Sequence, residues 1–441
     1  MLRKATQGWR IAPWVLGSAV LLGWALGAVT VPPDVKMPGT QPGEVASFAT
    51  NCDSCHSGTD NPEFEPSHGW KGSMMSHSMR DPLFWATLAV AEQDFLPGSD
   101  PSLRGGVGDM CLRCHGPNGW LGGRSEPTDG SAYTGTDDRG VECEHCHLMV
   151  DPDPPVNVAG TVEVQTAPFI ANDGVSEGYY GTAQYVINGE GSRLGPYAEG
   201  DETANHPALG SAFHRSGEMC GTCHDVSNPV VGDLAHNHGA MLPLPAGSYS
   251  GVVGGAVADK AAFNNPPYAY GVVERTYSEW KASALDTLRV NDFATLPVDL
   301  QVAGGSLDVA YHRAYDARSN ADFEDGTPRY FTCQTCHMSA ATGEGCNKNG
   351  TPIRTDLGRH DLTGGSYWIQ DAINYQDANG TLRFGGGLDQ DTRDAMADGQ
   401  LRAIAMLESA ASLEGTQSGS DLVVRVTNLT GHKLTSSCTF L

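Results

Sequence analysis

The pentapeptide Cys-x-x-Cys-His recurs five times in this 441-residue chain, and no other feature restricts its folding as much. The copies are Cys52, Cys55 and His56; Cys111, Cys114 and His115; Cys143, Cys146 and His147; Cys220, Cys223 and His224; and Cys333, Cys336 and His337. With 12 cysteines and 15 histidines in the chain, chance supplies roughly 0.01 such motifs. The spacing is the one that covalent attachment of c-type haem requires. Two thiols add across the two vinyl groups of one macrocycle, and the adjacent imidazole reaches the iron from the proximal face.

Other uses of Cys-x-x-Cys explain the pattern less well. A zinc ribbon needs paired Cys-x-x-Cys elements but no histidine after each second cysteine. A redox dithiol normally occurs once, at the start of a helix in a βαβ setting. A disulfide framework has no use for the histidine. The expectation is five haems c on the ten motif cysteines, with iron held by His56, His115, His147, His224 and His337. Cys346 and Cys438 are left over. They form either a disulfide, which an oxidising compartment permits, or two ordinary thiols.

Glycine and proline number 55 and 26, so a loop-rich body is expected, with haems filling much of the core. The expected fold is mainly α and irregular, a multihaem cytochrome fold packed around five covalently bound haems, with the start of a β-rich element at the C-terminus. The formal net charge is −25, from 52 acidic and 27 basic residues. That balance repels nucleic acid and anionic lipid. It serves solubility and is compatible with a basic redox partner protein.

Arg3, Lys4 and Arg10 precede an uncharged stretch from Ile11 to Val31, 21 residues long. That length suits a membrane-spanning helix and exceeds the usual signal-peptide core. Basic residues before it set the N-terminus in the cytoplasm and everything beyond Pro32 outside. Residues 1–31 are therefore expected to be a membrane anchor or a signal peptide, the anchor being preferred because small residues near Ala25 and Gly27 make a weak cleavage site. Either way the haem domain reaches the periplasmic side of the cell envelope.

Residues 32–45, with Pro32, Pro33, Pro38 and Pro42, read as a linker. Residues 46–413 form the expected pentahaem domain, and 414–441 a β-strand segment. The motifs begin at 52, 111, 143, 220 and 333, and steps of 59, 32, 77 and 113 residues show no fixed period. The short step predicts that the second and third haems lie close together. Helices are expected over 83–95, after Pro82 in the first turn, over 277–288 and over 392–413. A strand is expected over 422–427.

What occupies the second axial position sets function. Two histidines close the iron and give a low-potential carrier, whereas an open position admits substrate. Ten histidines lie outside the proximal set. His77 and His68 stand near the first predicted helix, and His214 lies six residues before Cys220. His236 and His238 form His-x-His, from which one ligand is expected. His312 and His360 flank the fifth motif. His206 precedes Pro207 and is a weaker candidate. His145, inside a motif, is expected to point away from that haem, and His432 is read as structural. Met149 and Met338 are expected to pack against a macrocycle, and Met74, Met75 and Met79 to serve the core.

Four stretches of the chain resemble the multihaem c-type cytochromes of bacterial envelopes. They are SMMSHSMRDPLFWA (73–86), CLRCHGPNGW with GVECEHCH (111–120 and 140–147), MCGTCHDVSNP (219–229), and CQTCHMS with RHDLTGG (333–339 and 359–365). The resemblance implies serial electron transfer between closely packed haems, and it makes His360 similar in context to a distal ligand. NLTGHKL (428–434) resembles a segment that leads into a β domain in such proteins. Here the sequence departs from that pattern at Thr435, and the expectation is a truncated or frameshifted reading frame.

The leading functional expectation is an electron-transfer protein with five haems and no bond-making chemistry. The alternative is a multihaem reductase or oxidase of a small nitrogen or sulfur compound, with one five-coordinate haem. A haem-based sensor is the third class, and no signalling segment accompanies it.

Overall fold

Residues i, i+3 and i+4 share one face of a helix, so each motif can present two thiols and an imidazole together only if it coils. The computed structural model describes residues 40, 42–45, 51–59, 64–94, 107–151, 181, 183–188, 192–197, 206–227, 272–283 and 285–434. Within these, all five motifs are helical turns. His56 N donates to Cys52 O at 3.0 Å, and His224 N to Cys220 O at 2.9 Å.

In chain order the helices are α1 (Asp53–His56), α2 (Pro66–Lys71), α3 (Pro82–Asp94), α4 (Val107–His115), α5 (Pro117–Leu121) and α6 (Cys143–His147). They continue with α7 (Gly217–Gly221), α8 (Thr276–Ala282), α9 (Ser306–Ala317), α10 (Cys333–His337), α11 (Ile369–Ala378) and α12 (Gln390–Ser409). Strands pair only two by two among the described residues: β1 (Met149–Val150) with β2 (Val186–Ile187), β3 (Arg193–Gly195) with β4 (Ala208–Gly210), and β5 (Val226–Ser227) with β6 (Val272–Glu274). The others are β7 (Ala340–Glu344) with β8 (Ile353–Gly358) and β9 (Ala411–Ser418) with β10 (Asp421–Asn428). The described residues thus combine short helices with five small sheets, more strand than the sequence suggests.

Local chemistry sets several boundaries. The Asp81 carboxylate accepts from Leu83 N at 2.8 Å, and Pro82 occupies the first turn, so α3 starts where expected. The Asp389 carboxylate accepts from Thr392 N and caps α12. The helix expected over 277–288 is instead α8 followed by a separate 3₁₀ turn, Leu285–Thr287. The helix expected to run to Leu413 stops at Ser409, because Ala411, Ser412 and Leu413 pair with Asn428, Thr427 and Val426. Cross-strand pairing overrides helix propensity there, and the expected boundary at 413/414 falls inside β9.

The main core gathers Phe84, Trp85, Leu112, Trp120 and Tyr185 around α3–α5, and Tyr277, Trp280, Phe293 and Phe331 around α8–α10. Its indole N–H groups are satisfied: Trp85 donates to Met79 O, Trp120 to Asp109 and Trp280 to Phe331 O. Satisfying them removes the main cost of burying indoles. The motif cysteines Cys111, Cys114, Cys223 and Cys336 pack against this core. At α7 a Cβ on Gly217 or Gly221 would meet Trp280 or Tyr277 at 2.5 Å. These glycines let α7 lie directly on α8, which anchors the fourth motif.

Candidate metal centres

The small sheets and their flanking loops bring acceptors to the motif imidazoles. His56 Nδ1 donates to Gly345 O at 2.7 Å, just beyond β7. His147 Nδ1 donates to Leu194 O in β3 at 2.7 Å, and His337 Nδ1 to Thr363 O at 2.6 Å. His224 Nδ1 donates to the Glu274 carboxylate at 3.3 Å. With the proton fixed on Nδ1, Nε2 of a neutral ring carries the lone pair that a metal needs. His115 differs: Phe84 stacks on its ring at 4.1 Å, and its buried Nδ1 has no hydrogen-bond partner among the described residues.

Three motif imidazoles face a second imidazole. The centroids of His56 and His206 are 6.3 Å apart with planes 30° from parallel. His337 and His432 stand at 6.3 Å and 13°, and His147 and His360 at 6.1 Å and 23°. A metal–imidazole bond of about 2.0 Å on each side, with about 1.1 Å from nitrogen to ring centre, spans roughly 6.2 Å. The three pairs match the span of one metal ion between two axial imidazoles. His214 also faces His147, at 5.9 Å and 24°, but its Nε2 donates to Cys146 O at 2.9 Å.

The remaining sequence candidates have local partners. His68 Nε2 lies 2.9 Å from an Asp398 carboxylate oxygen. His77 Nε2 donates to Lys71 O at 2.7 Å, while its Nδ1 faces the Arg80 guanidinium at 3.3 Å. His312, on α9, bonds Asp308 one turn back and is exposed. His145 is buried with its ring edge-on to Tyr185. His236, His238, Cys438 and the 1–31 segment lie outside the described residues. Cys346 is half-buried, with its sulfur 2.9 Å from the Thr351 hydroxyl. His206 and His432, weak or structural in the sequence, join His360 and His214 among the residues that the fold brings to motif imidazoles.

Thiol contacts show which motifs are neighbours. The Cys52 and Cys143 thiols act on each other's titration, which sets the first and third motifs side by side. Cys114 and Cys223 join the second and fourth, and Cys220 and Cys333 the fourth and fifth. The short sequence step between the second and third motifs is not repeated as a thiol contact in this set.

Electrostatics keep most of these rings neutral. Burial pushes His115 and His337 down to about 4 and His360 and His214 down to about 3. His224 is the exception: the Glu274 carboxylate beside it lifts it to about 9. Arg113, inside the second motif, is a buried cation stacked over Trp120 at 4.4 Å and Tyr185 at 5.3 Å. Nothing in the spacing of the sequence pointed to it.

The donor set fits haem c. Paired thiols and a lone-pair imidazole on one helical face are what such a group requires, and three of the five motifs add a facing imidazole at the right span. A zinc ribbon would need four converging ligands, and among the described residues no group of three or more Cys, His, Asp or Glu converges on one point. Comparison of the chain with family models, with curated proteins and with solved structures finds no match.

Proposed function

We propose that this chain is a multihaem c-type cytochrome that transfers electrons through five covalently attached haems in the cell envelope. Each haem supplies a one-electron iron couple when bound. The chain's residues do the rest: ten cysteines fix the macrocycles, and the motif histidines hold the iron with Nδ1 tied back to the protein. His206, His360 and His432 are the proposed distal ligands of the first, third and fifth centres. The observation that carries the proposal is the set of three facing imidazole pairs at 6.1–6.3 Å, a spacing that neither thiol redox chemistry nor a zinc ribbon would call for.

The thiol contacts support a connected set of centres, with the fourth motif meeting both the second and the fifth. The proposed partners are redox proteins, and nucleic acid is disfavoured by the net charge of −25. The proposed location is the periplasmic side of the envelope, reached through residues 1–31. Among the described residues no helix is long and apolar enough to cross a membrane.

The alternative, a reductase or oxidase of a small nitrogen or sulfur compound, draws on one feature. Among the described residues, the facing imidazole pairs involve His56, His147 and His337 and not His115 or His224, so an open iron is proposed at one of those two centres. Intact mass and low-temperature electron paramagnetic resonance of the oxidised protein test both. Five attached haems with only low-spin signals support the carrier. High-spin intensity equal to about one haem in five supports the alternative. A mass without haem overturns both.

A further inference from the structure

Glu274 is the last residue of β6, and its register opposite Val226 of β5 brings it to His224, two residues upstream. It is 9% exposed. One carboxylate oxygen accepts from His224 Nδ1 at 3.3 Å and from the Thr276 hydroxyl at 2.7 Å. The neighbouring Arg275 is turned elsewhere: its guanidinium donates to the Asp225 carboxylate and to the main-chain carbonyls of Val226 and Glu274. The charged or titratable groups that act with the Glu274 carboxylate include His224 and, at longer range, His115 and Cys114.

The contrast with the other motifs is chemical. His56, His147 and His337 each donate Nδ1–H to a neutral carbonyl, whereas His224 donates to a carboxylate. A charged acceptor draws the proton further from Nδ1 and makes Nε2 the more basic ligand. A more basic ligand, with a negative charge held in a low-dielectric interior, favours the oxidised, more positive iron. Resting on the haem assignment above, we infer that Glu274 is a positioning residue that sets the fourth centre to a lower reduction potential than a carbonyl-bonded histidine would give. Because the fourth motif touches the second and the fifth, this setting controls the energetic level at the junction.

The test uses the full-length, haem-loaded protein, Glu274→Gln and Glu274→Asp. Intact mass counts haems, and spectroelectrochemical titration reads the five potentials. Glu274→Gln is expected to raise one potential by at least about 59 mV, a tenfold change in a one-electron equilibrium. The others should hold, and Glu274→Asp should stay near the parent value. Five attached haems with all five potentials unchanged in Glu274→Gln overturns the inference and leaves the cytochrome reading intact. A parent protein without haem overturns that reading instead. If Glu274→Gln does not fold, Thr276→Val removes the competing hydroxyl from the same oxygen. The same potential should then fall, and no change would again overturn the inference.

Discussion

Replacing His360 with alanine separates two imidazoles that face His147 almost equally. Distance does not distinguish them: His360 stands at 6.1 Å and 23°, His214 at 5.9 Å and 24°. Hydrogen bonding does. His214 spends its Nε2 proton on Cys146 O, within the same motif as His147, and its own carbonyl accepts from the Gln334 amide. A ring nitrogen that donates a proton to a carbonyl has no lone pair for a metal, so His360, rather than His214 through Nε2, is the proposed ligand of the third centre. His360→Ala should leave one of five irons without its second imidazole, moving about one-fifth of the integrated iron signal from low spin to high spin. His214→Ala should leave the spin balance unchanged. Either loss removes a partly buried ring and should cost about 1–3 kcal/mol, which urea titration measures separately. Electron paramagnetic resonance on protein of known haem count decides it. A fully low-spin His360→Ala with five haems attached, or high-spin iron in His214→Ala, would refute the assignment.

Two further predictions concern stability. Glu142 is 3% exposed, and burial pushes its carboxyl from the ordinary 4.5 up to about 7. Below pH 4.5 both folded and unfolded chains hold the proton, and between 4.5 and 7 only the folded chain does. Stability therefore falls as pH rises through that window, by up to about 3 kcal/mol. Glu142→Gln should flatten the decline between pH 5 and 7.5 in urea titrations; a parent protein with no decline there would contradict the burial argument. Asp225 and Arg275 pair at 2.9 Å with 1% and 6% side-chain exposure. Asp225→Ala removes a buried carboxylate from beside the Arg275 guanidinium and should cost about 3–5 kcal/mol. A loss below about 1 kcal/mol would mean that the pair behaves like one at the surface.

Legibility followed range along the chain. The start of α3 was readable because Asp81 and Pro82 act on the next few residues. The ends of α8 and α12 were not, since the latter stops where β10 claims Ala411 for a strand. The proposed proximal ligands were plain from spacing, but the facing imidazoles were not. His206 meets His56 across about 150 residues, and His432 meets His337 across 95. The one available signal for His432 was its position in the NLTGHKL stretch, and for His206 only a surplus of histidines. His68, His77 and His312 looked equally suitable, yet nearby or tertiary partners occupy them.

The sequence by itself determined five local triplets of two thiols and an imidazole, because spacing within one helical turn is fixed by backbone geometry alone. It also determined the charge balance and the apolar N-terminal stretch, which are properties of composition. Tertiary structure alone decided which imidazole faces which, which motifs touch through their thiols, and which oxygen each motif histidine meets. Those outcomes depend on where segments separated by tens to hundreds of residues return to one another. The same motif therefore meets a carbonyl at His56, His147 and His337 and a carboxylate at His224, a difference that no pentapeptide encodes.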